Sequence, residues 1–82
     1  MQSKSNYLYD YSELLGKLRA KNITQEQLAK QISLSPSTLN QKLNNKSEFS
    51  QREMTKICKA LDIPLEYISI YFFCSYTLEN AS

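Results

Sequence analysis

The stretch SPSTLNQKLNNK, residues 35 to 46, collects short hydroxyls, amides and lysines at helical spacing. Ser37 and Thr38 can donate or accept at the edges of bases, Gln41 can bridge adenine N6 and N7, and Lys42 can reach guanine O6 and N7 in a major groove. Just upstream, TQEQLAKQISL opens a second segment whose first free N–H groups, with Gln25 beside them, suit a phosphate. Plainer roles compete with each of these. Ser35 is first of all a helix cap, a role compatible with touching phosphate. Gln41 and Lys42 alone would fit a solvated helix face, and their place one turn after Ser37 is what gives them a reading role.

Those side chains need helices to hold them, and the apolar spacing supplies five. Tyr11, Leu14, Leu15 and Leu18 fall at i, i+3, i+4 and i+7, with Asp10 and Glu13 expected as a capping box and an end near Asn22. Gly16 lies opposite that stripe and weakens the helix by about 1 kcal/mol relative to Ala. Thr24 with Gln27 caps a second helix with Leu28, Ala29 and Ile32 inward. Ser35 with Pro36 at the first helical position opens a third with Leu39 and Leu43 inward. Either Asn44 or Asn45 is expected in the left-handed conformation that ends it. Ser50 and Glu53 cap a fourth helix carrying Met54, Ile57, Cys58 and Leu61, and Pro64 opens a short fifth with Leu65 and Ile68 inward. From Ile70 the run IYFFCSYT favours an extended segment. The expected organisation is an arm at 1–9, an all-α domain at 10–70 and an apolar tail at 71–82.

Composition narrows the function. At 82 residues with 41% hydrophobic and 22% charged content, the chain supports one small globular core. There is no histidine, no glycine-rich phosphate loop and no clustered carboxylate pair, so neither catalysis nor a catalytic residue is expected. Cys58 sits at a core position and reads as a small buried hydrophobe, a disulfide with Cys74 being the minor alternative; no metal site or cofactor is expected. Net charge is only +2, but it is unevenly spread. Residues 17 to 46 hold Lys17, Arg19, Lys21, Lys30, Lys42 and Lys46 against Glu26, six against one, for a net +5. Residues 60 to 82 hold Asp62, Glu66 and Glu79 with no base, a net −3. Lys17, Arg19 and Lys21 read as ordinary surface.

With ITQEQLAKQI at 23–32, S-x-STL at 35–39, LNNK at 43–46 and ICKALDIP at 57–64, the chain resembles the lambda-repressor-like (XRE-type) helix-turn-helix family, and within it small phage-encoded Cro- or repressor-like regulators of Gram-positive hosts. The similarity covers about residues 10 to 70. It implies a five-helix domain in which the second and third helices bind an operator. It places Gln25 at a phosphate, Ser37, Thr38 and Gln41 at base edges, and Asn44 and Lys46 in the loop that tracks the backbone. Two positions depart from the family. Ser33 stands where glycine is usual, and a serine at positive φ carries strain of order 1 to 2 kcal/mol. Pro36 stands where a side-chain amide is common, leaving only apolar contact, as with a thymine methyl.

The expected function is therefore sequence-specific DNA binding in transcription regulation, with double-stranded operator DNA as partner. The alternative is an antirepressor or modulator that uses the same fold to bind another repressor. One recognition helix buries too little surface for tight specific binding, so a homodimer on an inverted repeat is expected. Tyr71, Phe72, Phe73 and Tyr76 exceed what the helices need; they either complete the core or form that dimer contact. No apolar run approaches a membrane span and the N-terminus lacks a signal-like core, so a cytoplasmic protein without membrane contact is expected. The chain has no length for a separate effector domain, so no small-molecule ligand is expected.

Overall fold

Four helix ends in this chain share one solution, and it is made without glycine. The computed structural model describes residues 7–77, so the outer parts of the expected arm and tail lie outside the described residues. The helices are α1 (Ser12–Ala20), α2 (Gln25–Gln31), α3 (Pro36–Leu43), α4 (Gln51–Ala60) and, after a 3-10 turn at Leu65–Tyr67, the short α5 (Ile68–Phe72). The chain is thus an all-α five-helix domain. Asn22, Ser33, Asn45 and Asp62 adopt φ of 57°, 65°, 64° and 58° just beyond α1, α2, α3 and α4. Each turn is closed in the same way: Ile23 N–H donates to Leu18 O at 2.9 Å, Leu34 to Ala29 O at 2.9 Å, Lys46 to Gln41 O at 2.9 Å and Ile63 to Cys58 O at 2.8 Å. These are Schellman closures, which satisfy the last carbonyls of each helix. In three of them the closing residue is Ile or Leu, so the turn also sends an apolar side chain back to the core.

Helix starts are set by side chains. Thr24 and Gln27 form a reciprocal capping box on α2, as do Ser50 and Glu53 on α4, and Ser35 Oγ accepts from Thr38 N–H at 3.1 Å with Pro36 at the first position. The expected box at α1 does not form. Tyr11 occupies its cap, so the third helical position is Leu14 and not Glu13; Asp10 accepts from the Ser12 N–H at 2.9 Å and from its hydroxyl instead. Those bonds hold the exposed Asp10 carboxyl below its ordinary range.

The core is built from one face of each of the first four helices, with Leu14, Leu28, Leu39, Ile57 and Leu61 fully enclosed. Phe72 of α5 enters it at 3% exposure. Ile68 and Phe72, one helical turn apart, share the inward side, which is why residues 70–72 are helical and not extended as the aromatic run suggested. Leu65, expected inward, is instead 55% exposed. The extended piece comes later. Strand β2 (Ser75–Thr77) pairs antiparallel with β1 (Tyr7–Tyr9), in register Tyr7 to Thr77, and Asp10 N–H continues the ladder to Cys74 O at 2.7 Å. Aromatic rings continue from this ribbon into the helices: Tyr9 of β1 meets Tyr11 at 6.3 Å and Phe73 edge-on at 6.4 Å, Tyr11 meets Phe49 edge-on at 5.4 Å, and Phe49 meets Phe72 edge-on at 5.4 Å. Burial pushes the Tyr11 hydroxyl up to about 12, with Tyr9 and Glu48 adding to the shift.

Both cysteines are free, Cys58 buried and Cys74 exposed, and burial raises the Cys58 thiol. No helix among the described residues is long and apolar enough to cross a membrane.

Candidate nucleic-acid interface

Helices α2 and α3 pack against each other across four residues, Ile32 to Ser35. The turn between them is tight because Ser33 accepts a left-handed conformation and Leu34 folds back, its N–H reaching Ala29 O at 2.9 Å. Leu39 is fully buried and Leu43 packs beside it, which fixes the rotation of α3 about its axis. Ser37, Gln41 and Asn44 then lie on the opposite side of the helix, all exposed.

The expected site residues divide into two groups. Ser37 and Gln41 stand on the outward ridge of α3, and among the described residues their side chains hold no intramolecular hydrogen bond. Thr38 is half-buried and its Oγ1 accepts from Ser35 Oγ at 2.8 Å, so the Ser35 and Thr38 hydroxyls serve the helix start first. Gln25 is half-buried at the first position of α2. Asn44 Nδ2 donates to Asn40 O at 2.8 Å and to Asn40 Oδ1 at 3.2 Å, and Lys46 is exposed in the loop that follows.

Lys42 belongs to the second group. Its ammonium donates to the Glu48 carbonyl at 2.8 Å and pairs with Glu53 Oε1 at 3.2 Å, with only 12% of the side chain exposed. It is therefore drawn away from the outward ridge of α3, since at its helical angle it borders Leu39 and Leu43 and the α4 cap offers it a carboxylate. Burial alone would raise Glu53, but the Ser50 backbone N–H and Lys42 outweigh it and hold the carboxyl below its ordinary range. Lys42 and Glu53 thus lock the end of α3 to the start of α4.

Asn45 is the expected left-handed residue, at φ 64°, but sequence reasoning did not find its second role. Its Oδ1 accepts from Tyr9 N–H at 2.9 Å and its Nδ2 donates to Tyr9 O at 3.0 Å, tying the N-terminal strand to the loop after α3. The doubled Asn signalled a helix end; nothing local signals a partner 36 residues away.

Fold and site together describe a small five-helix domain with a two-stranded ribbon, which presents an exposed polar ridge on α3. Residues 7–75 match the family described as DUF739, protein of unknown function, and the chain belongs to that family. No curated protein matches it.

Proposed function

We propose that the protein is a sequence-specific DNA-binding transcription regulator of the repressor or Cro-like kind, which lays α3 in the major groove of an operator. The observation that carries this is the selectivity of the α3 surface. The exposed Ser37 and Gln41 are left unengaged among the described residues, while the neighbouring Lys42, Thr38 and Ser35 are committed to holding the helix in place. Polar groups presented without internal partners on a fixed helix suit base edges, and Asn44 and Lys46 at the end of α3 suit the adjacent backbone.

A homodimer on an inverted repeat belongs to the same reading, on a surface that keeps Phe73 of the expected tail and adds residues before it. Phe72 is consumed by the core and Tyr71 packs against it, and the side chain of Tyr76 lies outside the described part of the structure. Leu65, Tyr67, Ile70 and Phe73 are 55%, 47%, 48% and 50% exposed and offer the apolar area. Leu65 and Phe73 also line a hollow with Met54 and Ile68. An inverted repeat read by two α3 helices would have half-sites about 34 Å apart.

Selection of genomic fragments by the purified protein tests the reading. Enrichment of a two-fold symmetric motif is expected; no enrichment over random fragments, combined with capture of a repressor protein, would replace it with the antirepressor alternative.

A further inference from the structure

Arg52, Lys56 and Lys59 follow one another on α4 at i, i+4 and i+7, and all three are exposed. Met54, Ile57, Cys58 and Leu61 bury the opposite side, so the three cations form the outward ridge of the helix. With Ser50, Gln51 and Thr55 they line a broad, shallow groove. From this ridge we infer a second DNA contact: α4 binds the phosphate backbone without regard to sequence, beside the contact made by α3. The inference rests on the DNA-binding reading above.

The ridge departs from an ordinary solvated helix face. Such faces alternate sign at i, i+4, because opposite charges one turn apart attract and like charges repel. Here Arg52 faces Lys56 and Lys56 faces Lys59, while Glu53, the helix's one acidic residue, is turned to the flank and held by Lys42 at 3.2 Å. Among the described residues the ion pairs are Lys21–Asp62 and Lys42–Glu53, so none of the three ridge cations is neutralised. A run of uncompensated like charge loses its repulsion against a polyanion. Seven residues of helix rise span about 10 Å, and one DNA strand carries a phosphate every 3.4 Å or so along its axis, so the ridge matches about three charges.

Its position agrees with the same partner. The ridge begins in the first turn of α4, immediately after the loop that carries Asn44 and Lys46, and the Lys42–Glu53 pair fixes that turn against the end of α3. Backbone contacts from α4 would then extend those expected of the loop.

Binding to a random-sequence duplex of 20 base pairs, measured by anisotropy from 50 to 300 mM salt, tests the inference without knowledge of the operator. Each lost phosphate contact lowers the slope of log K against log salt by about 0.9. The variant R52Q/K56Q/K59Q should therefore show a slope smaller by about 2.7, and Lys56→Gln alone one smaller by about 0.9, with helicity retained. The variant K17Q/R19Q/K21Q removes the same net charge from α1 and its end and should change the slope far less. Equal slopes for the two triple variants, or no change in either ridge variant, would overturn the ridge and leave the α3 reading standing. Wild-type protein that binds no duplex at 50 mM salt would overturn both. Loss of poly-glutamate binding in the ridge variant, with duplex binding unchanged, would assign the ridge to an acidic protein segment instead.

Discussion

The Asn45 side chain pairs with the backbone of Tyr9 as a neighbouring strand would, accepting from its N–H at 2.9 Å and donating to its carbonyl at 3.0 Å. The same residue ends α3 at φ 64°. One asparagine thus joins the loop after the candidate reading helix to the β1–β2 ribbon, and only Asn combines tolerance of that backbone with a donor and an acceptor at that reach.

Asn45 variants should separate the two roles. Asn45→Gly keeps the backbone conformation and loses both hydrogen bonds, which are part-buried, so it should destabilise by about 1–2 kcal/mol. Asn45→Ala adds the left-handed strain and should lose about 1–2 kcal/mol more. Urea unfolding measures both; equal midpoints for Gly and Ala would show that strain contributes nothing here.

The single glycine and Ser33 are placed opposite to backbone preference, one inside a helix and the other, unlike Asn22, Asn45 and Asp62, a poor fit to positive φ. Gly16 lies inside α1, where an added Cβ would meet only an Arg19 guanidinium nitrogen at 3.8 Å. Gly16→Ala should therefore stabilise by about 1 kcal/mol. Ser33→Gly should stabilise by about the same amount, because it removes left-handed strain at an exposed position. A higher melting temperature for each, adding in the double variant, is the expected result; a lower one for Ser33→Gly would mean that the serine side chain supports the turn.

Glu53 predicts a pH dependence. Its folded carboxyl is held below the ordinary value of 4.5, so the stability it contributes is present above that value and is lost as pH falls through the folded one. Glu53→Gln keeps an oxygen for the cap on Ser50 N–H but removes the partner of Lys42. The variant should be less stable than wild type at pH 7, with the gap closing as pH is lowered below about 4.5. A constant gap across pH 3 to 7 would place the stabilisation in the cap geometry and not in the charge.

Helix number, the caps at Thr24, Ser35 and Ser50, and the buried stripe were legible because each depends on residues within one or two turns. What escaped was non-local. Lys42 looked like a base-reading cation because its partner Glu53 lies beyond a loop, and Asn45 was legible as a helix end but not as a tie to Tyr9, which lies 36 residues away. The tail misled for another reason: aromatic residues favour strands in isolation, but α5 forms because Ile68 and Phe72 both find the core at helical spacing. The ridge on α4 was hidden by summing charge along the chain, which does not resolve the angle around a helix.

Phe72 and Ile70, two residues apart, should behave oppositely. Phe72→Ala leaves a cavity in the core and should lose about 3–5 kcal/mol. Ile70→Ser with Leu65→Ser alters exposed positions and should change stability by less than about 1 kcal/mol. The same double variant should become monomeric in sedimentation if this face pairs the subunits. A dimer that survives it would assign pairing to another surface, including the ribbon.

Gln41 and Lys46 should fail in different ways on DNA. Gln41 sits in the last turn of α3 on its outward ridge, where its amide could satisfy a base edge, so Gln41→Ala should reduce operator affinity by about 1–3 kcal/mol while barely affecting random DNA. Lys46 lies past the helix end, exposed in the loop, where under the proposed reading its charge would meet backbone whatever the sequence. Lys46→Ala should weaken operator and random DNA alike and lower the salt slope by about 1. Equal loss on both DNAs for Gln41→Ala would move that residue to the backbone. An unchanged slope for Lys46→Ala would take the lysine out of the interface, and with it the loop as a contact.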